Sequence, residues 1–199
     1  MKRTTSAEDI AASDGTDRRT FLTRMASTGI GVGLLGIGLS SRADGAPGPM
    51  KSGLTEQDFR MGVIGPAELS LVTSQIAVQR ATKADAREFA RFELREAIAV
   101  TTVLKELRTR VPAMTAKARA TLAEIRAAAP GADFDRAYIM AQHENHVFLR
   151  DLATAYLKNT TPRELTFAEQ QGRHLATLSL NQFTEHVEIT ARILRELHA

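Results

Sequence analysis

The fold of this chain is decided by residues 83–110, which read KADAREFARFELREAIAVTTVLKELRTR. Apolar side chains recur there every three or four positions, β-branched alternation is missing, and Ala, Leu, Glu and Arg dominate. This pattern predicts one long amphipathic helix, which must bury its apolar stripe against partner helices. The predicted stripe consists of Phe89, Phe92, Val100, Val103, Leu104 and Leu107.

The same helical pattern continues on both sides of this segment. Ala, Leu, Glu, Arg and Gln dominate from Thr55 onward, and the breaks fall at Pro and Gly. Four long amphipathic helices and one short one, joined by short turns, predict an all-α antiparallel bundle. We place the helices near 56–81, 83–110, 115–128, 133–159 and 162–197.

Capping patterns mark three of the predicted helix starts. Each pattern supplies a side-chain acceptor for unpaired amide groups and a carboxylate near the positive end of the helix dipole. The first helix is expected to be kinked at Gly65-Pro66, because proline cannot donate to the turn before it. The patterns are Thr55 with Asp58, Thr82 with Asp85, and Thr161 with Pro162 and Glu164.

The N-terminal segment carries the pattern of a bacterial twin-arginine export signal. Arg18-Arg19 precede the apolar pair Phe21-Leu22, and the weakly apolar run over residues 26–39 is shorter than the roughly 18 to 20 residues that span a bilayer. Small residues allow cleavage after Ala43 or Gly45. We therefore predict export into the periplasm by the twin-arginine translocase, with the signal either cleaved or retained as an anchor. The predicted organisation is a signal peptide over 1–43, a flexible leader over 44–54 and a helical bundle domain over 55–199.

Composition argues against a nucleic-acid partner and against thiol chemistry. The whole chain carries a net charge of +3, and residues 1–43 hold six basic and four acidic side chains, so the remainder carries +1. A nucleic-acid-binding protein would carry a clear basic surplus. The chain has no cysteine, which excludes disulfides, thiolate metal sites and cysteine nucleophiles. No nucleophile motif or phosphate-binding glycine loop follows the signal, so we assign no catalytic residue.

Three glutamates interrupt the apolar stripes, where a charge is costly to bury. Glu93 and Glu96 lie on the apolar side of the second predicted helix, and Glu68 lies on that of the first. Glu68 and Glu96 are each 14 residues from the turn near Thr82, so an antiparallel hairpin brings them to one height. We therefore expect three carboxylates to converge in the middle of the bundle, which resembles half of a carboxylate-bridged metal site.

Histidine would have to supply the remaining ligands of such a site. His186 lies within the stripe of the last predicted helix, and His146 lies at the edge of the stripe of the fourth. If the turn between these helices lies near Thr160, a straight last helix places His186 about 12 residues, or roughly 18 Å, from the position facing His146. Both histidines could then not serve one site, unless the last helix breaks between Gly172 and Asn181.

Two interpretations of these polar groups stay open. In one, they bind a transition-metal ion. In the other, which we favour, the carboxylates pair with Arg or His, or accept hydrogen bonds from Gln75, Gln79 and Asn145, and only set the helix register. The Glu-x-x-His pairs typical of ferritin-type di-iron bundles do not occur in this chain. The candidate ligands are Glu68, Glu93, Glu96, His146 and His186.

Several segments of the chain are similar to one bacterial family. These are residues 134–138 (FDRAY), Gln142, His146 and residues 180–186 (LNQFTEH), and the similarity runs over about residues 55 to 197. The chain resembles the bacterial domain-of-unknown-function family 4142, whose members are described as periplasmic or outer-membrane proteins. The resemblance implies a ferritin-like four-helix bundle with one short extra helix, and a location in the envelope.

Two positions depart from the pattern of that family. Glu96-Ala97 stands where the family usually has Asp-His, which removes one potential ligand. Asn181 stands where the family tends to have proline, which removes a cause for a break in the last helix. The sequence therefore predicts an exported, non-enzymatic bundle that binds an envelope partner or serves a structural role. The alternative is a ferritin-like metal-binding or redox protein that uses the inward carboxylates and histidine.

Overall fold

The computed structural model describes residues 53–159 and 164–198. Within these two ranges the chain forms α-helices and no strand, which confirms the predicted all-α class. The predicted signal peptide over 1–43 and nearly all of the predicted leader lie outside the described residues. The helices are α1 (Glu56–Arg80), α2 (Ala84–Glu106), α3 (Ala116–Ala127), α4 (Ala132–Lys158) and α5 (Phe167–His198).

The helices pack as two antiparallel hairpins. Helices α1 and α2 form one hairpin, α4 and α5 form the other, and α1 joins the two hairpins by packing against α4. The short helix α3 lies against α1 and α4. Arg80 at the end of α1 fastens α3 by donating to the carbonyl oxygens of Arg126 and Ala128, at 2.9 and 2.7 Å.

The core consists of two apolar clusters with a buried polar layer between them. One cluster surrounds Phe134 and Tyr138, and the other surrounds Phe59 and Leu104. Every long helix passes through both clusters, and each carries buried polar side chains at the level between them. Because burying a polar group is costly unless it is paired, this layer is the candidate functional region of the bundle. Its members include Ser70, Thr73, Ser74, Glu93, Gln142, His146, His186 and Thr190.

The capping predictions have different outcomes at the first two helices. The capping box of Thr55 and Asp58 is confirmed, with Asp58 N donating to Thr55 Oγ1 at 3.1 Å and Thr55 N donating to Asp58 Oδ2 at 3.0 Å. The predicted Thr82 cap is wrong, because α2 follows Lys83, which makes no side-chain cap. The buried carboxylate of Asp135, on α4, accepts instead from Thr82 N, Thr82 Oγ1 and Lys83 N, at 3.0, 2.7 and 2.8 Å. A tertiary acceptor thus replaces the predicted local one.

Helix α5 begins later than the predicted start at 162. Thr166 N donates to Glu169 Oε2 at 2.8 Å, and Glu169 N donates to Thr166 Oγ1 at 3.3 Å. This capping box sets the start at Phe167. The cap predicted at Thr161 lies outside the described residues. The later start changes which residues of α4 and α5 face each other.

Helix α1 continues through Gly65 and Pro66 as one element. Asn145 Nδ2, on α4, donates to the Pro66 carbonyl oxygen at 3.3 Å. Among the described residues, α1 is the one helix whose length and mean hydropathy, 1.3 over its most apolar window, would suffice to cross a membrane. A core helix meets the same criteria, and residues of α1 are buried in both core clusters.

The predicted stripe of α2 is partly wrong. Phe92 and Val103 are 47% and 38% exposed, and the Arg95 guanidinium lies 4.9 Å from the Phe92 ring centroid. Small side chains take several of the inward positions instead. The buried residues of α2 are Ala86, Phe89, Ala90, Glu93, Ala97, Thr101 and Leu104.

Candidate metal centre

Three titratable side chains meet in the buried polar layer. Glu93 on α2, His146 on α4 and His186 on α5 are 3%, 2% and 4% exposed. One potential ligand atom from each lies within 4.8 Å of the other two. Each residue falls on the inward stripe of its own helix, so the helical repeat directs all three toward the bundle axis.

The three ligand atoms form a nearly equilateral triangle. Glu93 Oε2 lies 3.0 Å from His186 Nδ1 and 3.2 Å from His146 Nε2. The third edge, between His186 Nδ1 and His146 Nε2, measures 3.1 Å. We call these three atoms the Glu-His-His triangle.

The outer nitrogen of each imidazole has an acceptor as its partner. His146 Nδ1 lies 2.7 Å from the Gln142 carbonyl oxygen, and His186 Nε2 lies 2.8 Å from Glu96 Oε2. A carbonyl or carboxylate oxygen can only accept, so these partners assign a hydrogen to both outer nitrogens. In the neutral rings, the inner nitrogens then carry lone pairs directed into the triangle. A hydrogen-bonded outer nitrogen is also the usual arrangement of a histidine that binds a metal.

Three acceptors facing one another repel unless a cation or a proton lies among them. Glu93 Oε2 is buried and accepts no well-directed hydrogen bond from the described residues, although both inner nitrogens lie within 3.2 Å. An unpaired carboxylate oxygen in such a position is costly. The triangle therefore requires positive charge at its centre.

Two pKa shifts express the same requirement. Burial raises the pKa of Glu93, but the attraction of His146 and His186 outweighs burial and holds that pKa far below its usual range. Burial lowers the pKa of His186, but hydrogen bonds to Glu93 and Glu96 outweigh that effect and raise the pKa to about 9. A proton on His186 Nδ1 can thus occupy the triangle when no metal is bound. A metal ion competes with this proton for one position.

The dimensions of the triangle fit three ligands of a single cation. With metal–ligand distances of about 2.1 Å, an ion equidistant from the three atoms would have ligand–metal–ligand angles of about 95°. That value is close to the right angles of a facial octahedral set, which leaves the opposite positions open. Two histidines and one carboxylate are also the donor set of the facial triad that holds non-haem iron(II).

Aromatic rings and a small cavity surround the triangle. The Phe89 ring packs edge-on against His186, with centroids 5.0 Å apart, and Phe183 lies 5.9 Å from the His146 ring. A cavity of about 20 Å³ has Glu93 and His146 among its walls, with mostly apolar side chains on the other sides. This volume accommodates one water-sized group. The centre therefore has room beside it for a single small ligand.

Four of the five predicted candidate ligands lie at this centre, and Glu68 does not. Glu68 Oε1 lies 2.7 Å from Lys105 Nζ, and the Glu68 side chain is 24% exposed. Counting residues from the turn near Thr82 predicts only the position of Glu68 along the bundle axis. The rotation of α1 about its own axis turns the side chain toward Lys105. The inward face of α1 is occupied at this level by Ser70, Thr73 and Ser74. The predicted convergence of three carboxylates is therefore wrong.

The predicted separation of the two histidines is also wrong. His146 Nε2 and His186 Nδ1 lie 3.1 Å apart, against the expected distance of roughly 18 Å. Helix α5 is continuous across Gly172 and Asn181, so a break in the helix is not the reason.

The reason is the register between α4 and α5. His143 Nδ1 lies 3.0 Å from Thr190 Oγ1, and Arg173 Nη1 donates to the Asn159 carbonyl oxygen at 3.1 Å. In both contacts, the midpoint between the two residue numbers is near 166. The α4–α5 hairpin is therefore centred about six residues beyond the turn near Thr160 that was assumed from the sequence. Because α5 begins only at Phe167, the midpoint of the hairpin shifts by about six residues. The residue of α5 that faces His146 shifts by twice as many, from about position 174 to His186.

The sequence analysis missed the polar network that supports His146. Ser70 Oγ donates to Gln142 Oε1 at 3.0 Å, and Gln142 Nε2 donates to Thr73 Oγ1 at 2.9 Å. Asn145 Nδ2 donates to Ser70 Oγ at 2.9 Å. The available signal was the spacing of the Ser and Thr residues of α1, which recur at three and four positions within an apolar stripe. This network holds Gln142, whose backbone carbonyl orients His146.

The predicted hydrogen-bond donors to the carboxylates have other positions. Gln75 and Gln79 are exposed, so their predicted inward orientation is wrong. Asn145 is half-buried and donates to α1 through Ser70 and Pro66.

Comparison with known proteins identifies one family. The family model described as Domain of unknown function (DUF4142) matches residues 46–188, a range that includes Glu93, His146 and His186. No curated protein and no solved structure matches the chain.

Proposed function

We propose that this chain, which belongs to the DUF4142 family, is an exported protein that binds one divalent transition-metal ion in its helical bundle. The ligands are Glu93 Oε2, His146 Nε2 and His186 Nδ1. The observation that carries this proposal is their mutual distance of 3.0–3.2 Å at full burial, with both outer imidazole nitrogens bound to acceptors. Imidazole and carboxylate donors favour an ion such as iron(II), manganese(II) or zinc(II).

The surroundings of the triangle support a bound ion in two ways. Glu96 and the Gln142 carbonyl act through the outer imidazole nitrogens, where they increase the basicity of the rings and fix their orientation. The three ligands come from three helices, so an ion that binds them ties α2 to the α4–α5 hairpin. Binding to the folded state alone would stabilise the bundle.

The proposed location rests on the N-terminal sequence. Arg18-Arg19, the apolar pair after them and the short weakly apolar run support export by the twin-arginine translocase. Substrates of that pathway cross the membrane folded, which would allow the ion to be inserted before export. The proposed place of action is the periplasm, with or without an envelope partner.

The metal proposal is tested on protein purified from the periplasm without chelator. Elemental analysis is expected to find about one equivalent of a transition metal, and less than about a tenth of an equivalent after reloading overturns the proposal. Glu93→Gln is expected to abolish binding, because it removes the anionic ligand while nearly preserving the shape. Glu88→Gln, an exposed position on the same helix, is the matched control.

The export proposal has a separate test. Replacing Arg18 and Arg19 together by lysine is expected to retain the protein in the cytoplasm, as measured by immunoblot of fractionated cells. Arg3→Lys makes the same chemical change outside the pair and is expected to leave export intact. Equal periplasmic amounts of the double variant and the unaltered protein would contradict the proposal.

A metal-free account of the same centre is the competing hypothesis. In that account a proton on His186 bridges Glu93 and Glu96, and the buried ion-paired cluster only sets the helix register. It predicts the same fold, and it predicts no metal in protein from the native compartment. The elemental analysis therefore decides between the two.

A further inference from the structure

We infer that the ion held by the Glu-His-His triangle keeps one coordination position open to the adjoining cavity, where it binds an exogenous ligand of one to three atoms. The class of ligand is a dioxygen-sized molecule, for which azide and nitric oxide are suitable probes. This inference rests on the proposed metal site, and it assigns the cavity beside that site to a ligand of the metal.

The position of the cavity supports an open coordination site. Glu93 and His146 both form part of its wall, so a group inside it lies beside the Glu93–His146 edge of the triangle. Three facial ligands leave the opposite positions of an octahedral ion without protein donors. Of the other polar side chains in the wall, Ser70 already bonds to Gln142 and Asn145, Glu96 already contacts His186, and Gln182 is half-buried. An ion facing this space would therefore take its next ligand from solution.

The size and lining of the cavity limit what that ligand can be. Its volume of about 20 Å³ holds roughly one water-sized group, which is enough for the metal-bound end of a small ligand and excludes an organic substrate. Most of its wall is apolar, and Ala67 on α1 and Ala97 on α2 keep the space open at 5% and 4% exposure. A wall that is mostly apolar favours a small molecule that bonds to the metal itself.

The cavity also has a route to the surface. Glu96 and Gln182 belong to its wall, and both are half-buried, at the junction between α2 and α5. The Glu96 side chain is 28% exposed while it contacts His186. A small molecule can therefore reach the ion between these two helices without unfolding of the bundle.

The test uses the cobalt(II)-loaded protein, whose visible absorption reports the coordination of the ion. Azide is expected to change the spectrum of the unaltered protein in a saturable way. Ala97→Leu and Ala67→Leu fill the cavity and are expected to weaken azide binding by about tenfold or more, while one equivalent of cobalt still binds. Ala99→Leu makes the same change at an exposed position of α2 and is expected to behave like the unaltered protein.

The outcomes separate this inference from the proposal beneath it. If cobalt(II) does not bind, the metal site and the open position are both refuted. If cobalt(II) binds but saturating azide leaves its spectrum unchanged, only the open position is refuted. If a leucine variant fails to fold, Ala97→Val and Ala67→Val replace it, and an unweakened azide response in these folded variants also refutes the inference.

Discussion

In the metal-free protein, removing both charges of the buried centre is expected to cost less than the sum of the two single removals. Glu93 and His186 are 3% and 4% exposed, and Glu93 Oε2 lies 3.0 Å from His186 Nδ1. Unit charges at this distance attract by about 5 kcal/mol at an effective dielectric constant of about 20, but the desolvation of both groups offsets most of this. The net contribution of the pair to stability is therefore small.

Glu93→Leu alone leaves the imidazole charge of His186 without its buried partner, and only the more exposed Glu96 remains in contact with it. The expected loss in the free energy of unfolding is about 3–5 kcal/mol. For a domain of this size, that corresponds to a fall in melting temperature of about 6 to 20 °C. The double variant Glu93→Leu/His186→Leu replaces both charges by apolar groups, so it is expected to be more stable than the two single losses would predict.

The assay is a double-mutant cycle measured by urea and thermal unfolding at pH 7 in the presence of a chelator. A coupling free energy of about 1–3 kcal/mol between the two positions is expected. Asp85 and Arg192 provide the control cycle, since they join the same two helices at 2.9 Å but are solvent-exposed. Asp85→Asn and Arg192→Gln are expected to be nearly additive because water screens the pair. Additive losses at Glu93 and His186 as well would refute the reasoning.

Three other predictions follow from the contacts at the centre and at the α1–α2 turn. Glu96→Gln is expected to weaken metal affinity by about 10- to 100-fold in a metal titration, because Glu96 orients His186, whereas Glu68→Gln is expected to leave affinity unchanged. In the metal-free protein, the raised pKa of His186 stabilises the fold fully below about pH 6.5, and this contribution is lost as the pH rises toward about 9. The melting temperature in chelator is therefore expected to fall from pH 6.5 to 9, and a bound metal is expected to reduce this fall. The lowered pKa of Glu93 stabilises the fold above about pH 4.5, and this second contribution is lost on acidification. Asp135→Asn is expected to cost about 1–3 kcal/mol and to speed amide exchange at Thr82 and Lys83, while Asp133→Asn, at an exposed position of α4, has little effect on either. Equal exchange rates in the two aspartate variants would contradict that assignment.

The positions of the helices and the inward orientation of most site residues could be predicted from the sequence. Helix periodicity is a local property, because each side chain's direction depends on its neighbours three and four positions away. Glu93 and His186 fall within apolar stripes, so their burial followed from the pattern. The Thr55 capping box was local for the same reason, since both partners lie within one turn.

The arrangement of neighbouring helices could not be predicted in the same way. Phe92 fits the apolar repeat of α2 but is 47% exposed, because the path of a helix across its partners decides which edge of a stripe is covered. The Thr82 cap failed since Asp135, which is 53 residues away, takes its place. Glu68 pairs with Lys105 rather than joining the centre, because the rotation of α1 about its axis directs its side chain there.

By itself, the sequence determined five helices from Thr55 onward, with glutamates and two histidines predicted on their inward faces at separate places. Only the tertiary structure decided that Glu93, His146 and His186 meet at one point. Their meeting depends on the register of α4 against α5, which the late start at Phe167 and contacts such as His143 with Thr190 define. Helical phase depends on adjacent turns, but register depends on loop length and on packing between residues 40 or more positions apart, and no local pattern encodes it.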